Sequence, residues 1–189
     1  MTKLVFLLEE RSMAEMLRIV IPRLLPGTIE KRDFILIPHN GKSELEKSIP
    51  RKLRGWNEPG VRFIVVRDKD QADCRSLKKR LTDLCSRTGR HDTLVRIAVH
   101  HLESWYLGDL RAIAEAYAAP AIAKRQSESK FQDPDRLSNA IEEIQKLVPE
   151  FQKIAGARSI APHLELSQNR STSFRVFAQG VTDLWRGRR

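Results

Sequence analysis

The residues best suited to chemistry stand at the ends of three apolar runs. Val61 to Asp70 reads Val-Arg-Phe-Ile-Val-Val-Arg-Asp-Lys-Asp, a β-branched stretch that stops at two carboxylates separated by one residue, Asp68 and Asp70. Residues i and i+2 of an extended segment point the same way, so this pair can offer oxygens to one hard cation such as Mg²⁺. The same residues also suit a strand followed by a polar turn and a helix N-cap, where Asp is preferred. Glu9 and Glu10 follow the run at residues 3 to 8, and Glu103 comes just after the run from Leu94 to Val99. Carboxylates gathered round a divalent cation compensate one another's burial. The cation can then neutralise developing phosphoryl charge and ready a water for in-line attack.

Positioning such acids takes a parallel sheet. Short apolar runs without alternation fit strands covered on both faces, and in open α/β sheets the ligand lies beyond the carboxyl ends of the strands. Strands are expected at residues 3 to 8, 34 to 37, from Val61 toward Asp70, and at 94 to 99. Helices are expected between them: about 13 to 25 with Ser12 as N-cap, 43 to 54 opened by a Ser43/Glu46 capping box, and 72 to 87 closed by Gly89. Four strands alternating with three helices predict right-handed crossovers. From Leu102 onward the pattern is helical, with helices expected at 102 to 117, near 136 to 147 and about 171 to 185. The polar stretch 127 to 134 reads as a mobile loop. The chain therefore divides into an α/β domain at 1–117 and a helical extension at 118–189 packed on it.

Charge narrows the partners. With 189 residues, a net charge of +10 and a pI near 10, the chain favours polyanions through long-range attraction and counterion release. Basic residues concentrate on two expected helices, Lys42 to Arg54 and Arg75 to Arg90; Arg75, Lys78 and Lys79 on the second, and Lys42 before the first, are candidates for phosphate contact. Lys42 sits in His-Asn-Gly-Lys-Ser, a loop entering a helix N-terminus, but Leu36 stands where a P-loop needs its first glycine. His100 and His101 adjoin Glu103 and can support a metal ligand from behind. Trp105 and Trp185 lie in apolar helical patterns and read as core. Cys74 and Cys85 match neither a disulfide framework nor a zinc site and read as packing residues. Arg170 and Arg175 flank Ser171 and Ser173 in a segment able to close over the site. No apolar run approaches the roughly 20 residues needed to cross a membrane, and a cytoplasmic protein is expected.

A strand ending in Glu, a helix opened soon after by a hydroxyl residue, and a later strand ending in Asp-x-Asp resemble the Toprim domain of topoisomerases, DnaG-type primases and overcoming-lysogenization-defect (OLD) nucleases. More closely, Leu-Leu-Glu-Glu-Arg-Ser-Met at 7 to 13 and Leu-Glu-Ser-Trp-Tyr-Leu-Gly-Asp at 102 to 109 resemble the bacterial domain-of-unknown-function 4276 family, which is Toprim-like and often encoded beside an ATPase. Ser-Phe-Arg at 173 to 175 resembles it more loosely. The resemblance implies a Toprim/Rossmann-like fold, Glu9 as general acid/base, Asp68 and Asp70 as the metal pair, and Glu103 as a further acid of the OLD-like branch. Glu10 stands where the Toprim glutamate is usually followed by glycine, so either Glu9 or Glu10 can face the metal; the spacing to Ser12 favours Glu9.

Together these readings predict a Mg²⁺- or Mn²⁺-dependent nuclease acting on DNA or RNA, with an AAA/ABC-type ATPase as a possible partner. Two alternatives remain open: a subunit active only with its partner, and a nucleic-acid-binding protein whose acids are structural. Primase and topoisomerase activities fit less well, because there is no zinc-ligand set and Tyr106 and Tyr117 are the only tyrosines.

Overall fold

A computed structural model describes residues 2–187. Four parallel strands, β1 (Lys3–Leu8), β2 (Phe34–Pro38), β3 (Val61–Asp68) and β4 (Leu94–Ala98), form one sheet in the order β2-β1-β3-β4. Side chains alternate between two cores: Leu4, Phe6, Leu8, Ile64 and Val66 face one, while Val5, Leu7, Phe63, Val65 and Ile97 face the other. Both faces are covered, which is why the strands read as mostly apolar runs without strict alternation. Helix α1 (Arg11–Leu24) packs Met13, Leu17 and Val20 on the first face. Helices α2 (Lys42–Gly55) and α3 (Cys74–Ser86) pack Leu45, Ile49, Leu77 and Leu81 on the second.

The rest of the chain thickens the first face. It forms α4 (Glu103–Leu107), α5 (Leu110–Ala116), α6 (Ala121–Lys124), α7 (Ala140–Leu147), α8 (Lys153–Ile160) and α9 (Thr172–Trp185). Residues on either side of position 117 share one core, including Trp105, Ile113, Phe131, Ile144, Phe174 and Phe177. Trp105 packs on Phe174 and Phe177 with ring centroids 5.4 and 5.0 Å apart. Such aromatic pairs contribute about 0.5–1.5 kcal/mol each beyond the area they bury. Trp105 is fully buried and Trp185 partly so, and Cys85 is buried with Cys74 packed at the edge of the second core.

Several expected boundaries shift for local reasons. Ser12 lies inside α1, and Glu10 occupies the N-cap; the Ser12 hydroxyl donates to the Glu10 carboxylate. The Ser43/Glu46 capping box does not form, because α2 starts at Lys42 behind Gly41, whose φ of +97° favours glycine. Glu44 reaches back instead, accepting from the Asn40 backbone N–H at 2.8 Å. Glu46 is drawn away to Arg67 and Arg80.

The single helix expected over 102 to 117 breaks at Gly108. A Cβ there would collide with the Asn169 side chain and the Ser171 backbone, and Asp109 caps the new helix α5. The stretch 127 to 134, expected as a loop, forms part of a chain of 3₁₀ turns around the fully buried Phe131. The helix expected from 136 begins at Ala140, and α8 was not anticipated; its Gly156 lies against the Phe151 ring. Among the described residues, no helix is long and apolar enough to cross a membrane.

The strand order matters most for function. β1 leads outward to β2 on one side, and the chain then crosses back to place β3 on its other side. The carboxyl ends of β1 and β3 therefore flank the point where the winding reverses, the usual ligand position in an open α/β sheet.

Candidate functional site

Five carboxylates gather round that reversal point. Glu9 directly follows β1, its N–H still bonded to the Val66 carbonyl at 3.2 Å, and its Oε2 accepts from the Asp68 N–H at 3.1 Å. The guanidinium of Arg67, buried between strand and helix, lies 3.6 Å from the same oxygen. Asp68 ends β3 with its side chain buried, and its Oδ2 stands 3.7 Å from His101 Nδ1, close but beyond hydrogen-bond length.

β3 does not stay extended to residue 70, so the expected i, i+2 alignment is replaced by a turn. Asp70 has φ +50° and His100 φ +60°, and the two left-handed residues are tied by Asp70 N–H to the His100 carbonyl at 3.0 Å. Asp and His tolerate that region better than most residues. The turn still brings Asp70 Oδ1 to 3.9 Å from His101 Nδ1, so both aspartates meet at one imidazole. Lys42 closes the other side of Asp70, Nζ to Oδ2 3.2 Å.

Glu103 opens α4 and is 0% exposed. Among the described residues, neither of its carboxylate oxygens has a hydrogen-bond donor, and its nearest cation is Lys153 Nζ at 3.8 Å. Lys153, the first residue of α8, also donates to Glu10 Oε2 at 3.1 Å. Glu10 thus turns toward the Glu103 corner, whereas Glu9 turns toward β3. Asp68 Oδ1 and the Tyr106 hydroxyl nearby are likewise buried without partners.

Crowded, desolvated carboxylates hold protons. Burial pushes Asp68 up to about 8, with repulsion from Glu103, Glu10 and Glu9 adding to it and His101 opposing. Burial also raises Glu103 against the pull of Lys153, and raises Glu9 against the Asp68 N–H. His101 is raised, chiefly by Asp68, against the opposing effect of its own burial. Burial opposes the Lys153 ammonium, yet Glu103 and Glu10 outweigh it and its pKa rises.

The structure thus brings Glu9, Glu10, Asp68, Asp70, Glu103, Lys42 and His101 together. It does not bring Arg75, Lys78 or Lys79 to them: these are exposed on α3, where Lys79 pairs with Asp83 at 2.9 Å. Arg170 and Arg175 also lie elsewhere, bonded to the Gln126 carbonyl and the Thr172 hydroxyl. Ser171 and Ser173 anchor α9 to Asp135 and do not close over the site. Lys153 and Arg67 are the participants that sequence reasoning missed. Arg67 carried a signal, as a charge inside a buried strand next to Asp68; Lys153 carried none, being one lysine among many in a chain of 34 basic residues.

The donor set fits a hard divalent cation in kind. It is rich in carboxylate oxygen, and three acceptor atoms, Asp68 Oδ1 and both oxygens of Glu103, are buried without donors. Among the described residues, no group of three or more His, Cys, Asp or Glu is already arranged to hold an ion. Lys153 and Lys42 stand among the acids, and side chains must move for the oxygens to close round one.

A family model for a domain of unknown function, DUF4276, matches residues 8–182. Searches of curated proteins and of solved structures returned no match. Since the matched stretch runs from the end of β1 into α9 and holds every acid of the site, the chain belongs to the DUF4276 family.

Proposed function

We propose that this protein is a Toprim-like, OLD-type nuclease that hydrolyses phosphodiester bonds of DNA or RNA with Mg²⁺ or Mn²⁺. The observation that carries the reading is the pair of buried carboxylates, Asp68 and Glu103, with unpartnered oxygens at the winding reversal of a parallel sheet. Asp68, Glu103 and Asp70 would hold the cation, with Glu10 as a further candidate ligand. The bound ion supplies charge neutralisation at the phosphoryl group and a more acidic water. Glu9, whose proton affinity is raised by burial, takes or returns the proton at its carboxylate while the Asp68 N–H fixes its orientation. His101 balances the charge on both aspartates. Lys42, more than half exposed beside Asp70, is the candidate phosphate contact at the rim of the acids. The net charge of +10 draws the polyanion in.

The test is incubation of the purified chain with plasmid, linear DNA and tRNA in Mg²⁺, Mn²⁺ or EDTA, beside Asp68→Ala. Cleavage that disappears with EDTA and in the variant is the expected result; cleavage indifferent to both removes the assignment.

A second reading makes the chain a cytoplasmic subunit of a bacterial defence or DNA-processing system, active only with an ATPase partner. It is favoured by the lysines that hold Glu10, Glu103 and Asp70 in ion pairs, an arrangement that a partner can open. Calorimetric Mn²⁺ binding without cleavage, and cleavage regained on adding the ATPase, would select it.

A further inference from the structure

Lys153 joins two parts of the chain. It begins α8, and its ammonium stands between Glu10 at the end of β1 and Glu103 at the start of α4. For Glu103 it is the sole ion-pair partner within 4 Å among the described residues. A carboxylate this buried is costly unless a cation offsets it, and Lys153 is the cation that partly does so. The lysine is nevertheless poorly bound for that task. It is more than one-third exposed, lies 3.8 Å from Glu103, and hangs on a flexible four-carbon stem that can rotate without moving its helix. It also lines a cleft of about 340 Å³ with Arg11, His39, Asn40 and Ile154, so the ammonium has open space beside it.

We propose that Lys153 is the protein's own counter-ion for the acid cluster, seated between Glu10 and Glu103 until a divalent cation takes those carboxylates and displaces the ammonium into the adjoining cleft. The proposal rests on the reading that the cluster binds a divalent cation. A dication approaches carboxylate oxygens to about 2.1 Å, far closer than the ammonium stands to Glu103, and carries twice the charge. Two cations sharing one small set of oxygens repel, and the one on the mobile stem leaves. Once in the cleft, the ammonium joins Arg11 on its wall, and the two cations together offer a phosphate contact beside the acids. Exchange of cations thereby couples metal loading to the opening of a phosphate contact.

The experiment uses the intact wild-type chain. Acetylation of each lysine by an amine-reactive ester is followed by mass spectrometry in EDTA and in saturating Mn²⁺, with Lys79 as a distant reference. Lys153 should react severalfold faster with Mn²⁺, while Lys79 stays constant. Calorimetry in parallel should give about tenfold tighter Mn²⁺ binding in Lys153→Gln, because one competing charge a few ångströms away has gone. Mn²⁺ binding with unchanged or slower Lys153 acetylation overturns the exchange and leaves the metal reading intact. Absence of Mn²⁺ binding in both wild type and Lys153→Gln overturns the metal reading itself, and the exchange with it.

Discussion

Glu103 and Glu143 are both glutamates in the first turn of a helix, both buried, and treated in opposite ways. Glu143, on α7, accepts from Lys130 Nζ and Lys146 Nζ at 2.7 Å each, and these partners lower its pKa. Glu103, on α4, has no hydrogen-bond donor, and burial raises its pKa. The same side chain, first in α4 and fourth in α7, is thus hydrogen-bonded by two lysines in one place and left with a single distant ammonium in the other. The difference follows from surroundings: Glu143 meets two lysines at hydrogen-bond distance, while Glu103 is crowded by Asp68, Glu10 and the Tyr106 hydroxyl, with Lys153 3.8 Å away. A buried acceptor without a donor costs about 1–3 kcal/mol, so a fold that retains one sacrifices stability at that point. Strained or unsatisfied groups gathered in one place mark functional sites more often than supporting structure.

The strongest way to break this contrast is to neutralise each glutamate. Glu103→Gln should lower metal-dependent cleavage at least about 100-fold, the scale on which losing a charged group at a reacting phosphate is felt. Glu143→Gln should leave cleavage within about twofold, because it lies in a separate network. Measured side by side on one substrate, equal losses would show that the unsatisfied acid has no special place in the chemistry.

Stability against pH should separate them next, with opposite signs. Asp68 and Glu103 have raised pKa values in the fold, so the native chain binds their protons more tightly than the unfolded chain does. Their contribution is full below the ordinary carboxylate range and is lost as pH rises through it toward about 8, where Asp68 titrates. Glu143 is lowered, so its contribution is present above the ordinary carboxylate range and is lost as pH falls through its folded pKa. In EDTA, urea denaturation should therefore show stability declining from about pH 5 to about pH 8 by up to about 1.4 kcal/mol per unit for each proton released. Asp68→Asn should flatten that decline. An unchanged slope in this variant would mean that Asp68 titrates in the fold as it does in the open chain.

What the sequence revealed and what it hid follow the same division. Val61 to Val66 and Leu4 to Leu8 were readable because strands covered on both faces are predominantly apolar, with Arg62 the one exception in these two runs, and acids that follow such runs lie at the strand ends. Glu9, Asp68 and Glu103 were therefore found by local pattern. The partners of the buried acids were not, because Lys153 meets Glu10 across 143 positions of chain and Lys130 meets Glu143 across a run of turns. Gly108 looked like an ordinary residue in a helix until Asn169 was seen to press against it. The polar composition around residues 127 to 134 concealed Phe131, a single apolar anchor that decides the conformation of its neighbours. Local pattern carries the acids; tertiary contact decides which of them are neutralised.

Smaller effects refine the satisfied side of the comparison. Glu143→Gln should destabilise the fold by about 1 kcal/mol in thermal or urea unfolding, a modest figure because Lys130 and Lys146 keep access to water. A loss several times larger would mean that Glu143 organises the packing of α7 rather than merely closing its surface.

The finest distinction lies between two lysines. Lys42 pairs with Asp70 at the acid rim, whereas Lys79 pairs with Asp83 one turn along α3, and both side chains are largely exposed. If nucleic acid is drawn over the rim, Lys42→Gln should weaken oligonucleotide binding a few-fold and reduce the salt dependence by about one counterion. Lys79→Gln removes the same formal charge from the whole molecule and should change binding by less than about twofold, since an exposed i, i+4 pair contributes only through the long-range field. Fluorescence anisotropy over a salt series reads both quantities from one titration. Equal slopes for the two variants would place the polyanion on the basic face of α3, away from the acids, and would cut the link between the positive charge of the chain and its carboxylate cluster.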